Sequence, residues 1–158
     1  GTTLRGLQAN HKMDVSDFLA YVHDLPLRDF LTPDATQRSV LASLPARRLI
    51  FTNADSAHAR RVLAALELED LFDAIVDVNA VAPYCKPMPE SFTIAMKAAG
   101  ETDPARCVMI DDLPRTTRAA RDFGMFGVLA HHPAPSPDAD AVFTDWRDLP
   151  ALLNGSKL

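Results

Sequence analysis

The sequence has little of three things. It holds only two cysteines, Cys85 and Cys107, among 158 residues. Two thiols suggest no disulfide framework and give no zinc spacing. They fit a reduced, cytoplasmic compartment. Basic residues are also in deficit: 16 Lys and Arg stand against 21 Asp and Glu, for a net charge of −5 and a pI near 5.4. That excludes the broad basic face of a nucleic-acid binder. It leaves room for a small anionic substrate, because a local site can be positive on an acidic protein. No apolar run approaches the ~18 residues of a membrane span, and there is no internal repeat. What is present is ordinary for a globular chain, 47% hydrophobic and 23% charged. It is long enough for one core with a small appendage.

The first third reads as helix. Val15, Phe18, Leu19 and Val22 share one helix face, at the i, i+3, i+4, i+7 spacing. Asp14 is the N-cap of that helix, with Asp17 three residues on, and Leu25-Pro26 ends it. Thr32-Pro33 predicts the start of a second short helix carrying Val40, Leu41 and Leu44. From residue 48 the pattern alternates. Strands are predicted at 49–51, 74–76, 108–110, 126–129 and 141–143. Between them run helical faces: Ala59, Val62, Leu63 and Leu66; then Phe92, Ala95, Met96 and Ala99, closed by Gly100; then Thr116, Ala119, Ala120 and Phe123, closed by Gly124. A last helix is predicted near Trp146 to Leu153, after a loop from His132 to Pro137. Alternating strand and helix implies βαβ units, hence an α/β, Rossmann-like parallel sheet with helices on both faces.

Ligands of such sheets bind at the carboxyl ends of the strands. Three features collect there. Thr52 and Asn53 directly follow the first strand. A hydroxyl, an amide and the backbone N–H groups of a helix start can hold an anion. Lys86 lies in "YCKPMPESF", where Pro87 and Pro89 stiffen the approach to the next helix. It can place a point charge on a phosphate. Asp111 and Asp112 end the strand of "CVMIDDLPRT". Adjacent carboxylates repel and are costly to desolvate, and Mg²⁺, which takes hard oxygen ligands and retains water, relieves both. Read singly, each has a plain structural alternative: a strand-end hydroxyl, a surface lysine, a helix-capping acid. Together, hydroxyl, lysine and acid pair describe a phosphate and magnesium site.

Their order along the chain separates two families. Response-regulator receivers place the acid pair first, so that likeness fails. "LIFTNAD" (49–55), "YCKPMPESF" (84–92) and "VMIDDLPRTTRAARDFGM" (108–125) resemble motifs two, three and four of the haloacid-dehalogenase-like hydrolases. "GTTLRGL", "FTNAD", "APYCKP" and "DDLPR" resemble the pyrimidine 5′-nucleotidase-type phosphatases within that superfamily. The resemblance implies a Mg²⁺-dependent phosphatase acting on a small phosphorylated metabolite, with a pyrimidine 5′-nucleotide as the candidate, through an aspartyl-phosphate. It implies that Thr52, Asn53 and Lys86 bind the phosphoryl group, that Thr52 and Lys86 are catalytic, and that Asp111 and Asp112 hold the metal. Residues 1–31 would be a partial helical cap and 32–158 the α/β core. Thr116 stands where relatives often have Asn.

The family's first motif, DxDx(T/V), carries the nucleophile and the general acid and ends a central strand. The resemblance begins downstream of it, so the chain is expected to be a fragment without its first core strand, inactive by itself. Asp77 in "IVDVNA", which falls between the Thr and Lys motifs and has Asn79 at the second acid position, and Asp145 in "VFTDWRD", at the far edge of the order, are poor substitutes. Two other readings share these residues: the same fold with dehalogenase or phosphotransfer chemistry, and a non-catalytic anion-binding module. Ser156-Lys157-Leu158 spells a peroxisomal address, which bears on localisation only in a eukaryote.

Overall fold

The computed structural model describes residues 3–11 and 14–154; the tripeptide at 156–158 lies outside them. Two helices come first, α1 (Thr3–Asn10) and α2 (Val15–His23). Asp14 caps α2 as expected, its Oδ1 accepting from the Asp17 N–H at 3.1 Å. The predicted face packs only in part. Leu19 is buried with Leu4 and Val78, and Val15 and Phe18 lie against them, while Val22 remains exposed. Helix α3 (Ala35–Ser43) starts later than Thr32-Pro33 predicts. The Asp34 carboxylate accepts from the amides of Thr36 and Gln37 at 2.8 and 3.3 Å. A side-chain cap satisfies helix-start donors that a proline cannot, so Asp34 sets the boundary and Pro33 stays outside.

Five strands follow: β1 (Leu49–Phe51), β2 (Ala74–Val76), β3 (Val108–Asp111), β4 (Phe126–Ala130) and β5 (Ala141–Phe143). The helices between and after them are α4 (Ser56–Ala65), α5 (Pro89–Ala99), α6 (Pro114–Phe123) and α7 (Leu149–Asn154). Helices α5 and α6 end at Gly100 and Gly124, both left-handed with φ of 72° and 102°, a conformation glycine adopts without the Cβ penalty. The last helical segment begins as a 3-10 turn, Trp146–Asp148, capped by Asp145.

All strand pairing is parallel, and it falls into two sheets. β1 pairs with β2, Leu49 opposite Ala74, Ile50 opposite Ile75 and Phe51 opposite Val76. β4 pairs with β3 on one side and β5 on the other. Among the described residues, β1 and β3 do not pair with each other. We call the line between them the seam.

Side chains alternate across each strand, and two helical layers use that alternation. On one face, Phe92 of α5, Met109 of β3 and Ala120 of α6 form a buried cluster against Phe51, Phe123 and Met125. On the other, Leu41 and Leu63 pack with Ile50 and Ile75, and Val128, Phe143 and Leu149 pack with Val108, Ile110 and Val40. Leu44 and Trp146 touch both of these clusters. Phe92 meets Phe51 edge-on at 5.6 Å and stacks on Phe123 at 5.7 Å. The seam is therefore bridged on both faces by side chains. Gly127 in β4 permits a close approach of α6, since a Cβ there would sit 2.8 Å from the Thr117 carbonyl oxygen.

Candidate active site

The crevice at the carboxyl ends of β1 and β3 is assembled by three loops. The first leaves β1. The Thr52 N–H donates to the Val76 carbonyl at 3.0 Å, extending the parallel pairing by one bond. The Thr52 hydroxyl oxygen accepts from the Ala54 N–H at 3.0 Å, which leaves the hydroxyl hydrogen free to donate elsewhere. The helix that follows is capped by Asp55, whose Oδ1 accepts from the His58 N–H at 2.8 Å.

The second loop carries Lys86, joined to Pro87 by a cis peptide bond. Lys86 is not a surface charge. Its Nζ lies 2.7 Å from Asp111 Oδ2, and the two side chains are 11% and 7% exposed. The ammonium also sits 5.2 Å from the centroid of the Phe51 ring, within cation–π range. Lys86 thus crosses the seam, touching β1 through Phe51 and β3 through Asp111. Asn53 holds its backbone from below: Asn53 Nδ2 donates to the Lys86 carbonyl at 3.0 Å, and the Lys86 N–H donates to Asn53 Oδ1 at 2.9 Å.

The third loop carries the acids, which differ sharply. Asp111 is committed, accepting from Lys86 and, through Oδ1, from the Leu113 N–H at 2.9 Å. Asp112 is exposed, and its carboxylate has no partner among the described residues. Asn53, Lys86 and Asp111 are therefore joined by hydrogen bonds, with Thr52 and Asp112 as their neighbours in the chain. Among the described residues no group of three or more His, Cys, Asp or Glu gathers to hold a metal. The donor chemistry nevertheless fits Mg²⁺, which needs one or two carboxylates and completes its shell with water and phosphate. Asp112 would be the freer carboxylate to offer such an ion, because Asp111 already neutralises a lysine.

The two acids considered as substitutes for a nucleophile have structural work instead. Asp77 is buried and accepts from the N–H groups of Ser56 and Ala80 at 2.9 and 2.8 Å. Asp145 caps the turn before α7, and hydrogen bonds from the Arg147 side chain and backbone lower its pKa to about 2. Cys85 is fully buried, and burial, with Glu101 and Asp103 nearby, pushes the Cys107 thiol up. Neither cysteine is placed as a nucleophile.

One cluster has no forerunner in the sequence reading. His23, at the end of α2, lies with Nδ1 2.6 Å from Asp55 Oδ2, and its ring stacks on that of His58 at 3.9 Å. Burial raises the Asp55 pKa, but hydrogen bonds from the His58 N–H and the His23 ring outweigh it and hold the carboxyl below its ordinary range. An ionised Asp55 only accepts, so His23 Nδ1–H is the donor. Burial, then the neighbouring His23, pushes the His58 pKa down, and its Nδ1 is buried with no hydrogen-bond partner among the described residues. Arg61 donates to the carbonyls of His23 and Leu25, both at 2.8 Å. The cluster ties α2 to α4. "NADSAH" shows the cap residue Asp55 by its pattern; nothing local in the sequence shows His23 as its partner.

Comparison with known proteins agrees with this geometry. Residues 3–124 match the profile of the haloacid dehalogenase-like hydrolases. The chain is 33% identical over 143 residues to phosphate metabolism protein 8 of Saccharomyces cerevisiae, covering 82% of this chain and 44% of that protein. It is 34% identical over 115 residues to the fructose-1-phosphate phosphatase YqaB of Escherichia coli, covering 72% and 55%. The chain thus spans about half the length of these curated relatives. Among solved structures, a haloacid dehalogenase-like protein from Agrobacterium tumefaciens superposes with a TM-score of 0.71 at 19% identity, over 97% of this chain and 83% of that one. The L-2-haloacid dehalogenase of Xanthobacter autotrophicus gives 0.70 at 24%, over 95% and 71%. At such identities these two likenesses concern the fold. With the profile covering most of its length, and a strand-end hydroxyl, lysine and acid pair converging at the seam, the chain belongs to the haloacid dehalogenase-like hydrolases.

Proposed function

We propose that the protein containing this chain is a Mg²⁺-dependent phosphatase of small phosphomonoesters, with a pyrimidine 5′-nucleotide as its specific candidate substrate. The observation that carries this reading is the Lys86–Asp111 pair crossing the seam, its lysine backbone held by Asn53, the chain neighbour of Thr52, with Asp112 uncommitted. Asp111 already neutralises the one ammonium there, and the neighbouring Asp112 adds a further negative charge, so these side chains alone disfavour an anion. A divalent cation on Asp112 and Asp111 reverses that sign, and when bound it polarises a phosphoryl oxygen. Thr52 donates its free O–H to the phosphoryl group. Asn53 offers its remaining amide hydrogen, and Lys86 neutralises charge.

The seam supports a second part of the proposal. A parallel sheet is buried on both faces, yet among the described residues the two facing strands are half-buried except at Met109 and do not pair with one another. A further strand between β1 and β3, ending in DxDx(T/V), completes the sheet and brings the nucleophile. Its first Asp attacks phosphorus, the second gives a proton to the departing oxygen, and water cleaves the aspartyl-phosphate. In this reading residues 1–31 form part of a cap that selects the leaving group, 32–158 form the core, and the chain alone is inactive. The reaction takes place in the cytoplasm, in keeping with two free cysteines. The name of the E. coli relative, a fructose-1-phosphate phosphatase, favours phosphomonoesters as the substrate class.

The test is to join an N-terminal segment bearing such a strand and measure phosphate release from a panel of phosphomonoesters with Mg²⁺. Activity should appear, and Lys86→Ala or Asp112→Ala should each reduce it by about 10² or more. No release from any ester would refute the proposal. Turnover of a haloacid that survives chelation and Asp112→Ala would replace it with dehalogenation.

A further inference from the structure

We infer that Asn53 is the positioning residue of this site: its carboxamide fixes the backbone of Lys86 and thereby sets where the ammonium stands relative to Thr52 and Asp111. The inference rests on the phosphatase reading only for what the ammonium then does.

The geometry is specific. Asn53 gives Nδ2–H to the Lys86 carbonyl at 3.0 Å and takes the Lys86 N–H on Oδ1 at 2.9 Å. The N–H and C=O of one residue are thus satisfied together by one carboxamide, as a neighbouring strand would satisfy them. Backbone groups in a loop need such partners. The next residue, Pro87, has no N–H to offer, so Lys86 provides the donor and acceptor at this point of the loop. A carboxamide is the short side chain that both donates and accepts at this spacing. Aspartate keeps the acceptor alone, and alanine keeps neither.

What the clamp controls follows from the lysine. Its four-carbon stem is flexible, and a free ammonium samples many positions. Here the residue is held at both ends: the Asn53 carboxamide grips its backbone, and the Phe51 ring at 5.2 Å and Asp111 at 2.7 Å hold its ammonium. Phe51 and Asn53 flank Thr52 in sequence, so hydroxyl and ammonium are referred to the same short segment at the end of β1. Removing the clamp frees the loop of Lys86 without touching the ammonium or its carboxylate. Asn53 therefore acts on phosphate chiefly through Lys86, and its own remaining amide hydrogen is secondary.

The test needs no catalysis. The chain is treated briefly with acetic anhydride, and acetylation of Lys86 is followed by peptide mass spectrometry against the exposed Lys97 as internal reference. Wild-type Lys86, buried and paired, reacts slowly. Asn53→Ala is expected to raise the Lys86-to-Lys97 ratio about tenfold, the effect of losing two hydrogen bonds on the open population of the loop. Asn53→Asp, which keeps one bond, should fall between. Asp111→Asn, which removes the ion-pair partner, marks the upper end. An unchanged ratio in both Asn53 variants overturns the inference and leaves Asn53 as a direct phosphate ligand. If Asn53→Ala unfolds, the Asn53→Asp ratio decides. General destabilisation lowers the melting temperature without selecting Lys86 over Lys97 under native conditions. Failure of the phosphatase reading is registered separately, by the absence of phosphate release.

Discussion

The two sheets are built from the same kind of strand and end in different conditions. β4 is paired on both edges, and Val128 and Leu129 within it are wholly inaccessible. β1 is paired only with β2, and all three of its residues stay half-buried. β3, apolar over Val108 to Ile110, is half-buried at most positions although β4 covers one of its edges. Composition does not explain the contrast, since "LIF", "VMI" and "FGVLA" are equally apolar. Position does. β1 and β3 face the seam, and β4 does not. The same seam carries the Lys86–Asp111 pair, so the least finished part of the core is also where the charged side chains meet.

The sharpest way to break this comparison is to truncate matching residues on the two sides. Leu129→Ala in β4 should cost about 2–5 kcal/mol, because a fully enclosed side chain leaves a cavity its neighbours cannot fill. Ile50→Ala in β1 removes a side chain that is only half-buried. It should cost about 1–2 kcal/mol. Urea denaturation of both variants checks this. Equal losses would mean that the strands at the seam are as well packed as β4.

A smaller effect separates the α2–α4 contact from both sheets. The folded His58 has its pKa held below 6.5, by burial first and by His23 next. In the unfolded chain it takes a proton at a higher pH than it does in the folded one. Its contribution to stability is therefore complete above 6.5 and declines as pH falls below that value. The lowered Asp55 acts in a separate, more acid window, contributing above 3.8 and being lost as pH falls through its folded value. Melting temperatures measured from about pH 8 to about pH 5 should fall, and His58→Gln should flatten the decline. A decline of the same slope in His58→Gln would place the titration elsewhere.

Much of this was legible beforehand. The five strands and the helices of the alternating region announce themselves through apolar runs, Gly100 and Gly124. Thr52, Lys86, Asp111 and Asp112 stand out in the sequence by their strand-end positions. The start of α3 was missed because Pro33 is a strong local signal and the Asp34 cap, one residue on, is a stronger one. Three things were not legible. That Asp111 and not Asp112 takes Lys86 depends on which carboxylate the strand turns toward the seam. That Asn53 grips the Lys86 backbone depends on two loops 33 residues apart meeting. The His23–Asp55 contact joins residues 32 apart across two elements. Each is a tertiary encounter, and local pattern holds no record of it.

Amide hydrogen exchange tests the seam most directly. It reports opening free energies residue by residue, and paired core strands exchange only through large openings. If β1 and β3 await a strand between them, their amides directed into the seam exchange fast in this chain while those of β4 are protected. Adding a strand that ends in DxDx(T/V) then slows exchange at Leu49–Phe51 and Val108–Asp111 toward the rate of β4. Amides of β1 and β3 already as protected as those of β4, and unmoved by the added strand, would contradict it.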